Sequence, residues 1–283
     1  MILLTGAAGQ LGFELARLLS QHGELVALDR AALDLADADR VAATLQRLKP
    51  RLIINAAGYT AVDRAEGEPA LADAINARAP AILAEGAKRL DALLIHYSTD
   101  YVFDGASDRS YREDDQTNPL NAYGRSKLAG ELAIAAAGGA YLILRTSWIY
   151  GLRGQNFLLT MKRLAATRDE LRVVCDQFGV PNWSRVLAEA TATLVSRGSD
   201  ALAKQSGIYH LSGRGRASWF DFARAIFDDT EPPRIVPITT AEYPTPARRP
   251  ASAVLATDKF QDAFGFVLPH WRETLTACKA AAV

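Results

Sequence analysis

The chain has 283 residues, 49% hydrophobic and 23% charged, with 32 lysines and arginines against 32 aspartates and glutamates. Such a chain can bury an ample core, and its zero net charge excludes the basic excess that nucleic acid or an anionic membrane surface calls for. Two cysteines supply neither a disulfide framework nor a metal-ligand spacing, the apolar run 132–144 falls short of the ~20 residues of a bilayer span, and no basic residue precedes Arg17 as in a secretory signal, so a cytoplasmic protein is expected.

The first predicted strand, 2–4, runs into Thr5-Gly6-Ala7-Ala8-Gly9-Gln10-Leu11-Gly12 and a helix over 11–20. Gly6 permits a tight strand-to-helix turn, Gly9 lets backbone approach a pyrophosphate, and Gly12 lets the helix pack closely on the strand. Open N–H groups at the helix start then face the phosphates, which predicts a dinucleotide site. The second strand, 25–28, ends at Asp29 and Arg30. An acid there can hold both ribose hydroxyls of NAD, and an arginine can meet the 2′-phosphate of NADP. NADPH and NADH therefore both remain open as cofactors. Asp34 and Leu35 follow at the adenine end.

A helical pattern spans 37–48, and the third strand, 52–55, leads into Asn55-Ala56-Ala57-Gly58-Tyr59-Thr60, small residues that let the chain pass close under a cofactor. After a helix over 69–89, the fourth strand, 93–97, is followed by Ser98-Thr99-Asp100. The next helix, 122–137, carries Tyr123 and Lys127 four residues apart and so on one face. A fifth strand falls at 141–145 and a sixth at 171–174. Strands and helices alternating at this spacing predict an α/β fold with a doubly wound, Rossmann-type parallel sheet. Beyond about Cys175 the rhythm breaks, and prolines from Pro181 to Pro269 punctuate helical patterns at 184–196, 218–227, 258–264 and 269–282. We read 1–175 as a dinucleotide-binding domain and 176–283 as a smaller, mixed substrate lobe, with a soft boundary because 208–211 can return to the main sheet.

Ligands of open α/β sheets bind at the carboxyl ends of the strands, where Thr99 sits and where the helix bearing Tyr123 and Lys127 begins. A hydroxyl, a phenol and an ammonium converging there suit carbonyl reduction. Tyr123 gives a proton to the forming alkoxide and Thr99 hydrogen-bonds the same oxygen. Lys127 is expected to lower the phenol pKa and to reach the cofactor ribose.

With these motifs, the chain resembles the extended short-chain dehydrogenase/reductases, and among them the dTDP-4-dehydrorhamnose reductase family. The resemblance also runs through His96-Tyr97-Ser98-Thr99-Asp100-Tyr101-Val102-Phe103-Asp104-Gly105, and the segments more discriminating than the glycine turn are Arg145-Thr146-Ser147-Trp148-Ile149-Tyr150, Asp176-Gln177-Phe178-Gly179-Val180-Pro181, and Tyr243-Pro244-Thr245-Pro246-Ala247-Arg248-Arg249-Pro250. The resemblance implies NAD(P)H-dependent reduction of the nucleotide sugar dTDP-4-dehydro-L-rhamnose. It makes Thr99, Tyr123 and Lys127 catalytic. It places Gly9, Gln10, Leu11, Asp29, Asp34, Leu35, Gly58, Tyr59, Thr60 and Tyr97 on the cofactor, and Thr99, Asp100 and Trp148 on the sugar. Arg248 and Arg249, in a proline-stiffened loop, are candidate clamps for the substrate diphosphate. It also implies a homodimer, with Mg2+ held between subunits by Glu14, Glu189 and Glu273. The sequence departs from the family at Asn182 and Trp183, where a threonine usually follows the proline.

A nucleotide-sugar dehydratase would need a second carboxylate directly after the acid, and Asp100 is followed by Tyr101. An epimerase stays open, as does a cofactor-binding regulatory subunit without turnover, although the latter would not need an intact Thr–Tyr–Lys set.

Overall fold

The computed structural model describes residues 1–228 and 233–282. In chain order its strands are β1 (Ile2–Thr5), β2 (Leu25–Leu28), β3 (Leu52–Asn55), β4 (Leu93–Thr99), β5 (Tyr141–Thr146), β6 (Ile149–Tyr150), β7 (Glu170–Val174), β8 (Phe178–Gly179), β9 (Asn182–Trp183), β10 (Gly207–His210), β11 (Ala217–Ser218) and β12 (Arg234–Ile238). Six form one parallel sheet in the order β10–β5–β4–β3–β1–β2. The strand order reverses at β1: the chain steps outward to β2, then returns to the other side of β1 for β3. In doubly wound sheets this reversal opens a crevice at the carboxyl ends of the strands.

The continuous apolar runs of the strands are explained by burial on both faces. Ile2, Leu4, Leu52, Ile54, Leu93, Ile95, Leu142 and Leu144 enter one cluster with Leu11, Leu15 and Leu19 of the helix Gln10–Leu19 and Leu187 and Leu194 of the helix Ser184–Val195. The alternate residues Leu3, Ile53, Leu94 and Ile143 enter another, with Val41 and Leu45 of the helix Ala38–Leu48 and Leu83 of the helix Ala79–Arg89. Side chains of period two supply both cores, and each fully buried Leu or Ile contributes roughly 1.5–3 kcal/mol. A third cluster, around Tyr150, Trp183, Phe222 and Trp271, lies within the later part of the chain.

The strand expected at 171–174 forms, as β7, but pairs with β12 in a separate ribbon. Its burial shows why: Leu171 and Val173 are buried while Glu170 and Arg172 are exposed. A strand with one wet face does not suit a sheet covered on both sides. The sixth place in the main sheet goes to β10, and Leu211 extends its pairing by donating its N–H to Arg145 O at 2.8 Å.

The helix expected over 122–137 is found at Ala122–Ala137. Asn121 caps it by accepting the Gly124 N–H at 2.8 Å, and Gly138 ends it in the left-handed region at φ 69°. A buried ion pair ties this helix to β5: Arg145 Nη2 lies 2.7 Å from Glu131 Oε2, with both side chains at most 3% exposed. Removing one partner of such a pair costs ~3–5 kcal/mol. The run expected over 69–89 is helical but contains a π-helical turn, Ala74–Arg78, between Pro69–Asp73 and Ala79–Arg89. The buried Asn76 in that turn accepts the Tyr59 N–H at 2.8 Å and donates to Tyr59 O at 3.0 Å and to Ser126 Oγ at 3.0 Å. The bulge thus anchors the loop after β3 to the helix that carries Tyr123.

Candidate active site

A cleft of about 660 Å³ lies at the carboxyl ends of the main strands, within the range of small-molecule sites. Gly6, Gly9, Gln10 and Leu11 form its floor beside β1; Arg30, Asp34 and Leu35 stand at the end of β2; Gly58, Tyr59 and Thr60 follow β3. Tyr97, Thr99 and Asp100 come from the end of β4, Tyr123 and Lys127 from the next helix, and Trp148 from the turn after β5. Residues predicted from six separate stretches of chain therefore meet in one cavity.

The glycine turn fits a dinucleotide. Gly6 sits at φ 76°, and a Cβ there would approach Ala57 N to 2.7 Å. A Cβ on Gly12 would come within 2.0 Å of Gly6 O, so Gly12 acts from beneath the turn rather than from the cleft lining. The helix Gln10–Leu19 begins at Gly9 with no side-chain cap and no acidic residue in its first turn, which leaves its N–H groups and positive dipole end for an anion. Asp29 also stands off the lining and accepts the Ala32 N–H at 3.0 Å. Arg30, with its side chain 76% exposed, lies 3.6 Å from Asp34, a loose pair that an incoming phosphate can break.

At the other end, Thr99 Oγ1 donates to Asp100 Oδ1 at 3.0 Å and accepts the Tyr101 N–H at 3.1 Å. Asp100 is 2% exposed and its Oδ2 has no hydrogen-bond partner in the structure. Burial pushes its carboxyl up to about 7, against a hydrogen bond from Thr99 that works the other way. The acidified phenol expected at Tyr123 is not what the structure shows. Burial pushes Tyr123 up to about 12, partly offset by its hydrogen bond with Thr99. No offset comes from Lys127, whose own pKa burial lowers to about 8, against the raising influence of Glu131. Its Nζ donates to Tyr97 O at 2.6 Å and lies 3.1 Å from His96 Nε2.

Two further expectations need correcting. Arg249 does not line the cleft. Its guanidinium holds Asp63 through two contacts, at 3.1 and 2.8 Å, and donates to Ala247 O at 3.0 Å. Arg248 is exposed and contributes only its carbonyl, which accepts from Asn121 at 2.8 Å. The loop expected to clamp a diphosphate is thus bound to the chain's own carboxylate and helix cap, and the cations on the lining are Arg30, Arg64 and Lys127. Nor does the chain by itself gather three carboxylates: among the described residues no such metal group forms. Glu14 pairs with Arg17 at 3.1 Å and Arg185 at 3.5 Å, burial and to a lesser degree the nearby Glu14 raise the Glu189 carboxyl, and Glu273 caps the helix Trp271–Ala280.

Sequence reasoning missed Trp219, Arg64 and Gln155 on the lining. Trp219 had a local signal: Ser218 and Asp221 form a capping box that places it as the first residue of the helix Trp219–Ile226. Its indole stacks on Trp148. Asn182, the departure noted above, lies off the cleft. Its buried Nδ2 donates to Ser147 O at 2.8 Å and Val180 O at 2.9 Å, so it props the turn that carries Trp148.

The family model described as the RmlD substrate binding domain matches residues 1–283. A dTDP-4-dehydrorhamnose reductase of Burkholderia thailandensis is 46% identical over 98% of this chain and 97% of its own. One from Escherichia coli K12 is 43% identical over 96% and 94%. The crystal structure of dTDP-4-dehydrorhamnose reductase from Bacillus anthracis in complex with NADP superposes with a TM-score of 0.93 at 35% identity, covering 99% of this chain and 98% of that one.

Proposed function

Since the chain belongs to the RmlD substrate-binding family, we propose that it reduces the 4-keto group of dTDP-4-dehydro-L-rhamnose to dTDP-L-rhamnose with NADPH or NADH. It is an NAD(P)H-dependent oxidoreductase of dTDP-rhamnose biosynthesis. The observation that carries the residue assignments is the meeting of Thr99, Tyr123 and Lys127 with the glycine turn in one cleft.

In this reading the turn at Gly6–Leu11 and the helix start behind it hold the pyrophosphate, Arg30 faces the adenosine ribose, and Lys127 the nicotinamide ribose. The reduced nicotinamide, when bound, supplies the hydride. Tyr123 holds its proton firmly until an alkoxide, a much stronger base, forms beside it, and then releases it there. Thr99 stands beside the same oxygen and can donate to it once its hydroxyl proton, given to Asp100 Oδ1 in the resting protein, turns toward the substrate. Trp148 offers an apolar wall to the deoxysugar.

Residues 176–283 are read as the main contributor to the substrate side. Among the described residues no helix is long and apolar enough to cross a membrane, and we place the enzyme in the cytoplasm, as a homodimer. The test is direct: the protein is mixed with dTDP-4-dehydro-L-rhamnose and NADPH or NADH, and absorbance of the reduced nicotinamide is followed. Its loss with substrate is expected; no loss with either cofactor would overturn the reading.

A further inference from the structure

Among the described residues, the non-glycine positions with positive φ are Lys49, Asp91 and Trp148; the first two are exposed, whereas Trp148, at φ 42°, lines the cleft. A bulky residue in the left-handed region is strained and persists only where its surroundings fix the backbone. One residue does this from both sides. The conformation at Trp148 is set by the peptide planes before and after its Cα. The plane before it carries Ser147 O, which accepts from Asn182 Nδ2 at 2.8 Å. The plane after it carries Trp148 O, which accepts the Asn182 backbone N–H at 3.1 Å. Asn182 thus grips both planes that flank Trp148.

The Asn182 carboxamide cannot turn over. It is 2% exposed, and its Oδ1 accepts the Gly213 N–H at 2.6 Å. A backbone N–H can only donate, so the atom facing it is the amide oxygen. Its Nδ2 faces Ser147 O and, at 2.9 Å, Val180 O, and carbonyls can only accept. Longer contacts to Ser147 Oγ and Ser212 Oγ, at 3.2 and 3.3 Å, share the same hydrogens. One side chain therefore joins three segments: the turn after β5, the link between β8 and β9, and the loop after β10. That loop leads through β11 to Trp219, and β11 pairs with β8 through Ala217 and Gly179. The segments that carry the two stacked indoles are tied at the same carboxamide.

We propose that Asn182, which lines no part of the cleft, is a positioning residue for the nucleotide sugar: it holds Trp148 in its left-handed turn, so that the indole faces the cleft and meets Trp219. This rests on the proposed function only for its kinetic consequence. A leucine of similar size keeps the backbone N–H but withdraws the side-chain partner of Ser147 O and of the Gly213 N–H, which frees one of the two planes. A threonine, usual in the family after this proline, has one hydroxyl hydrogen and can serve one carbonyl in place of two.

The indole pair reports the turn in the resting protein, without turnover. In Asn182→Leu the coupled-indole signal in near-UV circular dichroism is expected to lose most of its amplitude. KM for the nucleotide sugar should rise about tenfold, while kcat and NADPH affinity stay within about twofold. Asn182→Thr is expected to regain part of both the signal and the KM. A folded Asn182→Leu variant with the native signal, a loss that falls on kcat or cofactor affinity rather than KM, or a threonine variant that regains nothing would each overturn the proposal. If Asn182→Leu does not fold, Asn182→Ala, which leaves room for a water at the freed groups, decides by the same readouts. A native protein that shows the indole signal but reduces no nucleotide sugar would fail the proposed function, and the signal in the variants would still decide the role of Asn182.

Discussion

The indole of Trp219 lies on that of Trp148 with ring centroids 3.5 Å apart and planes 7° from parallel. Gly179 also lies against this ring: a Cβ there would sit 2.6 Å from Trp148 Cε2 and 2.8 Å from Nε1. Trp148 also has φ 42°, in the left-handed region that a bulky residue rarely occupies. Trp219 covers one face of this indole, and a sugar can lie flat on that face only after Trp219 moves. Gly179→Ala is expected to displace the indole and raise KM for the nucleotide sugar about tenfold, the scale of one lost apolar contact, with cofactor affinity unchanged. Steady-state kinetics check this, and an unaltered KM would place the sugar elsewhere. Near-UV circular dichroism should also lose the coupled-indole signal in Trp219→Phe, and in the native protein when nucleotide sugar is added.

Tyr123→Phe removes the proton source and little else, since the ring packs edge-on against Tyr101 at 5.7 Å. NADPH affinity should hold while kcat falls ~10²–10⁴-fold, the usual size of a general-acid contribution. Fluorescence titration of the cofactor and turnover assays separate the two; a kcat within twofold of native would remove Tyr123 from the mechanism.

Arg30 is the exposed cation at the end of β2. Arg30→Ala should weaken NADPH by roughly tenfold or more and NADH much less, because only NADPH has a 2′-phosphate for it to meet. Equal losses for the two cofactors would show that Arg30 does not face that phosphate.

Asp100 should make stability depend on pH. Its folded-state carboxyl, near 7, lies above the unfolded value of about 3.9. Between those limits the folded state holds a proton that the unfolded state has released, so stability falls as pH rises. Asp100→Asn removes that titration and keeps the shape. Its melting temperature should approach or match that of the native protein near pH ~4 and exceed it increasingly toward neutrality, by roughly 1–4 kcal/mol in stability. Parallel melting curves across the range would show that Asp100 titrates as an ordinary carboxyl.

Much of the site was legible because its signals are local. The glycine spacing after β1, the arginine after β2 and the four-residue interval from Tyr123 to Lys127 each depend on backbone geometry within one element. What went wrong depended on neighbours distant in the chain. Arg249 reads as a free cation until the fold brings Asp63, 186 residues away, within 2.8 Å of it. Residues 171–174 read as a strand, and are one, but their partner was open until the fold supplied β12.

The amino-acid order by itself determined the doubly wound sheet and the glycine turn and pointed to the residues proposed to react, since apolar periodicity and glycine conformational freedom are properties of short stretches. Only the tertiary structure decided the protonation and exposure of those groups. Desolvation, which raises Tyr123 and Asp100 and lowers Lys127, depends on atoms contributed by several elements at once, and no single segment contains that information.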